Sequence, residues 1–175
     1  MKIFSLALFM IALTLPVVAG QPPDSGETTD ALVQDYTRLV SSDEQGFSLM
    51  VVHLNDFTTD ALFTAPTKYS LRAQARQNMM FYIKGEALRS IAVDTDYQVL
   101  QVDPVTLTGQ PHRATAVNIS NFEDGTRLNA GEEFQGVISM PPLVKVDAPF
   151  EVKIGQVNVY FDLSSDAIER LQLQQ

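Results

Sequence analysis

Residues 69–83 read YSLRAQARQNMMFYI, and the fold turns on how this stretch is parsed. Tyr69, Leu71, Ala73, Ala75, Met79, Phe81 and Ile83 share one parity, while Ser70, Arg72, Gln74, Arg76 and Asn78 occupy the other. Alternation over such a length is the pattern of a strand with one face on a core. A helix over 71–82 is the alternative, with Leu71, Ala75, Met79 and Tyr82 on one side. On the strand reading, Met80 and Tyr82 break the polar parity. Apolar residues on both faces mean either a central strand covered on both sides, with Phe81 as its core anchor, or an exposed patch. In the second case Met80 and Tyr82, with Arg72 and Arg76 nearby, form a surface for a partner, to which soft methionine adapts well.

Working outward, the flanking sequence is β in texture. Strands are expected at 47–54, 88–93, 97–102, 113–120, 133–140, 150–154 and 156–163. Turn chemistry separates them: Lys84-Gly85-Glu86, Asp103-Pro104, Thr108-Gly109-Gln110-Pro111, Asp124-Gly125, Ala130-Gly131, Pro141-Pro142 and Gly155. Residues 58–66 read either as a short helix capped by Thr58 or Thr59 or as an irregular crossover. Leu32, Tyr36, Leu39 and Val40 fall at i, i+4, i+7 and i+8, which predicts a helix over 29–41. Ser164-Ser165-Asp166 caps a last helix whose apolar side, Ala167, Ile168 and Leu171, must dock on the domain. The expected fold is mainly β: an antiparallel β-sandwich of Greek-key, immunoglobulin-like type with a short helix at each end. A small β-barrel is the alternative.

Residues 1–20 have the plan of a secretory signal peptide. Lys2 precedes an apolar run from Ile3 to Leu15, Pro16 follows, and small residues offer cleavage after Ala19 or Gly20. That run falls short of the roughly 20 residues a spanning helix needs. The expected division is therefore 1–20 signal peptide, 21–45 acidic linker and amphipathic helix, 46–163 β domain, and 164–175 docking helix. The chain has 175 residues, no cysteine and a net charge of −9. Without cysteine there are no disulfides, thiolate metal sites or cysteine nucleophiles. The charge has the wrong sign for nucleic acid or an anionic membrane surface. A cysteine-free exported chain fits the bacterial periplasm or cell exterior, where the sequon Asn118-Ile119-Ser120 would be idle.

Charge is unevenly spread. Acids dominate 21–60, whereas Lys68, Arg72, Arg76, Lys84 and Arg89 make 68–89 basic. These are a solvated helix face and a solvated strand face, or the acidic N-terminal helix packs near the basic strand.

Motifs for chemistry are sparse. His53 and His112 stand in no metal-ligand spacing, no GxSxG elbow or phosphate-cradle glycine pattern occurs, and no two acids are placed as a glycosidase pair. Asp94, Asp96 and Asp103 at strand ends are the weak candidates for a metal, which would be Ca²⁺; turn and cap use is the default for such residues. No catalytic residue and no other cofactor is expected. The leading expectation is a non-catalytic binding module of the bacterial envelope, its partner another envelope protein or a second copy of itself. A small-molecule or lipid carrier with an apolar cavity is second, and a hydrolase third.

Overall fold

The computed structural model describes residues 33–94, 96–102 and 110–174. The expected signal peptide, the leader that follows it, Asp103 with its Asp103-Pro104 turn, and the Thr108-Gly109 step lie outside the described residues.

Two larger antiparallel sheets and one short ribbon make up the β structure. The first sheet runs in the order β1 (Thr37–Ser42), β2 (Phe47–His53), β3 (Met79–Ala87), β9 (Glu133–Met140) and β7 (Thr115–Ser120). The second runs β11 (Val157–Phe161), β10 (Phe150–Ile154), β5 (Tyr97–Gln101) and β6 (Pro111–Arg113). Strands β4 (Ile91–Ala92) and β8 (Arg127–Leu128) form the ribbon. Neither larger sheet closes on itself among the described residues, so the barrel alternative falls.

The inner face of the first sheet supplies Val51, Phe81, Ile83, Phe134 and Ile138, and the second sheet meets it with Val99, Phe150, Val152, Val159 and Phe161. All belong to one buried cluster, and each large side chain so buried contributes roughly 1.5–3 kcal/mol. Phe81 sits at its centre, fully buried, with ring centroids 5.9 Å from Phe150 and 5.6 Å from Phe161.

The outer face of the first sheet has its own cover. Helices α1 (Asp56–Leu62) and α2 (Thr67–Ala75) lie over Val52, Met80, Tyr82 and Val137, packing through Leu62, Phe63, Leu71 and Ala75. Asn55 caps α1: its side chain accepts from the N–H groups of Phe57 and Thr58, while the Asn55 N–H donates to the Thr58 hydroxyl. The cap is therefore Asn55, upstream of the expected Thr58 or Thr59.

Four expectations are corrected here. Residues 69–83 are not one strand: α2 occupies Thr67–Ala75 and β3 begins at Met79. Leu, Arg, Ala and Gln are strong helix formers, and that composition outweighs parity until Gln77-Asn78 breaks the helix. The Lys84-Gly85-Glu86 turn does not form either. Gly85 lies inside β3 because the Phe134 ring rests on it; a Cβ there would stand 2.2 Å from Phe134 Cζ. The expected helix over 29–41 survives in the described residues only at 33–35, and 37–42 is the edge strand β1, paired along its length with β2. Leu39, assigned to the buried helix face, is 76% exposed. The expected strand at 88–93 shrinks to Ile91–Ala92.

Helix α3 (Ser165–Gln172) forms as expected. Ser164 caps it by accepting from the Ala167 N–H, and Ala167 and Leu171 are buried against the domain.

Candidate interaction surface

Four strand edges bound the two larger sheets, and they differ in kind. β1 and β11 are in contact, and Arg38 of β1 donates to the Asp162 carbonyl while its guanidinium lies 5.0 Å over the Phe161 ring. That side is closed by the molecule itself. β6 is three residues long and begins with proline, which has no N–H to offer. β7 is the exception: six residues, Thr-Ala-Val-Asn-Ile-Ser, without charge or proline, paired to β9 on one side and to no described strand on the other. Its side chains are exposed apart from half-buried Ala116, with Val117 56% and Ile119 47% accessible. Edge strands usually carry a charge or proline that discourages further pairing; β7 carries only a bulge, between Asn118 and Ser120.

Local chemistry holds this edge in place. The chain passes from β6 to β7 through buried Ala114, stepping from the second sheet to the first. Beyond β7, the Asn118 side chain accepts from the Phe122 N–H at 2.9 Å and donates to Glu123 at 2.9 Å, which folds the following loop back. Phe122 is thereby driven inward and stacks between Tyr97, 5.2 Å away, and Phe134, 6.2 Å away. Gly136 leaves the room for it, since a Cβ there would lie 1.8 Å from Phe122 Cδ1. Above this aromatic stack an open groove of about 680 Å³ is lined by Arg113, Ala116, Asn118, Phe122, Glu123 and Asp124.

The residues singled out in the sequence fall elsewhere. Met80 and Tyr82 are buried under α1 and α2, with the Phe63 ring edge-on to Tyr82 at 5.2 Å, so the partner patch they would form is taken by the protein's own helices. Arg72 and Arg76 belong to an ion-pair lattice between those helices. Arg76 bonds Asp56 at 2.5 Å, Arg72 pairs with Asp60, and Lys68 lies 3.7 Å from Asp60. The expected packing of an acidic N-terminal helix on a basic strand is corrected: 37–42 is itself a strand, Asp35 pairs with Arg170, and it is Asp56 and Asp60 of α1 that meet the bases of α2.

Asp94 accepts from the Asp96 N–H at 2.9 Å, a turn contact, and Asp96 lies 3.7 Å from Arg113. Among the described residues no three His, Asp or Glu side chains are grouped to hold a metal ion. His112 is half-buried in β6, opposite Val99. His53 is buried beside Tyr36, Phe81 and Phe150, its Nδ1 has no hydrogen-bond partner, and burial pulls its pKa down to about 4. No helix among the described residues is long and apolar enough to cross a membrane.

The exposed pair Val117 and Ile119 was not singled out in the sequence. The strand itself was expected at 113–120, but its place at an edge depends on strand order, which no local pattern encodes. Its lack of charge was the available signal. Scans against protein-family models, curated proteins and solved structures returned no match for the chain.

Proposed function

We propose that this chain is an exported, non-catalytic β-sandwich module of the bacterial cell envelope that works by protein contact, with the β7 edge as its contact surface. One observation carries the reading: an uncharged, solvent-facing edge strand with Val117 and Ile119 exposed, on a sheet whose other margin is closed. Such an edge binds by strand addition, where main-chain hydrogen bonds give affinity and alternate side chains give specificity. The shared interior of the two sheets supports the sandwich description. Its aromatic filling weighs against a carrier cavity between them. The apolar run of residues 3–15 followed by small residues supports export.

The test is a photo-crosslinking residue placed at Val117 in the producing cells, with Asn158 on β11 as control position. Protein adducts at position 117 and none at 158 are expected; no adduct at 117 sinks the contact reading. N-terminal sequencing should give a mature start near Gly20 or Gln21, and a chain still beginning at Met1 sinks the export reading.

A further inference from the structure

We propose that β7 is the seam of a two-fold homodimer, in which the strand pairs antiparallel with the same strand of a second copy. This rests on β7 being the contact surface and adds the identity of the partner. The two copies would then share one continuous sheet running from β1 to β1 across the seam.

Charge complementarity selects the partner. Arg113 precedes β7, whereas Glu123 and Asp124 follow it, so the strand has a basic entry and an acidic exit. Antiparallel pairing with Val117 opposite its own copy brings the basic entry of each chain toward the acidic exit of the other. Parallel pairing would oppose like charges. The Arg113 side chain is 82% exposed and 3.7 Å from Asp96, its ion-pair partner among the described residues, so it has reach to spare.

Side-chain placement agrees. Val117 stands opposite Val137 of β9, and directly paired residues share a face, so Val117 continues the apolar row of Val137 and Tyr82 out to the edge. Pairing Val117 with Val117 of a second copy carries that row across the seam and removes both side chains from water. The bulge between Asn118 and Ser120 bends the end of the strand and restricts a regular ladder to the residues before it. The dimer is accordingly a reversible one that depends on concentration.

The experiment uses the mature exported chain in sedimentation equilibrium. The weight-average mass should climb toward twice the monomer value as concentration rises, and Val117→Lys should hold it at the monomer value. Arg113→Glu and Glu123→Arg should each weaken association, and mixing the two variants should restore it, because a mixed dimer has opposite charges at both contacts. The chain has no cysteine, so Val117→Cys provides a readout independent of variant stability: mild oxidation should give a disulfide-linked dimer faster than Asn158→Cys does. A wild-type chain monomeric at every concentration overturns the proposal. So does a Val117→Lys variant that still dimerises, or a mixture that fails to restore association. If position 117 crosslinks to a different protein while the chain stays monomeric, the second copy is excluded and the contact surface stands. If it crosslinks to nothing, both fail.

Discussion

The Tyr36 hydroxyl donates a 2.8 Å hydrogen bond to the main-chain carbonyl of Ala167, 131 residues later in the chain. Both residues are fully buried. Burial pushes the phenol pKa upward, so the donor keeps its proton across the working pH range. The bond ties the segment entering β1 to α3, and Asp35 with Arg170 forms an ion pair beside it. Tyr36→Phe should keep the ring and lose the hydroxyl's contacts with the Ala167 carbonyl and the Arg170 side chain, costing about 1 kcal/mol. Urea melts should show a lower midpoint with an unchanged slope; an unmoved midpoint would mean the bond contributes nothing.

His53 makes stability depend on pH in a stated direction. Its pKa is drawn from the ordinary 6.5 down to about 4 by burial. Above pH 6.5 folded and unfolded chains both hold it neutral. Between 6.5 and 4 only the unfolded chain takes the proton, so stability falls as pH falls, and below 4 this contribution is flat. The full loss is about 3 kcal/mol. His53→Phe should remove that component, so the difference between the two denaturation profiles should open between pH 6.5 and 4. Parallel profiles would refute it.

Gly85→Ala should destabilise by about 1–3 kcal/mol, because the new methyl meets the Phe134 ring and not a flexible chain end. Phe134→Leu in the same chain should recover part of that loss, giving a coupling visible in a double-mutant cycle. Additive losses would show that the ring is not what excludes the methyl.

Phe81→Ala removes a ring from the middle of the main cluster, where Phe150 and Phe161 both lean on it. The expected cost is about 3–5 kcal/mol in thermal or denaturant unfolding. A midpoint that barely moves would mean the site collapses around the gap.

The strands that alternate cleanly were legible in advance: β2, β5, β9, β10 and β11 all lie within the expected stretches, because each turns one face to the shared interior. The failures came where two periodicities overlapped. Leu32, Tyr36, Leu39 and Val40 satisfy helical spacing, yet Tyr36 is committed to a bond with Ala167, and Thr37–Ser42 pairs with β2. In 69–83 a helix and a strand join end to end, with Leu71 and Met80 meeting in one cluster only because the chain doubles back. Gly85 looked like a turn because its partner, Phe134, is remote in sequence. The contact surface was invisible for the same reason: Val117 is exposed because β7 pairs with β9 on one side and with no described strand on the other.

Strand β9 enters the sheet between β3 and β7, setting Met79 opposite Met140. When a chain is made from its N-terminus, β1, β2 and β3 are complete long before the segment that must lie beside β3 exists. Until then the inner row of Phe81 and Ile83 has β2 on one side but lacks β9 on the other and most of the opposing sheet. A central pairing this distant in sequence places folding on the slow, β-dominated scale, on the order of milliseconds to seconds. Such a chain stays threadable until its last third has been synthesised, and truncation anywhere before residue 140 should yield no smaller stable unit.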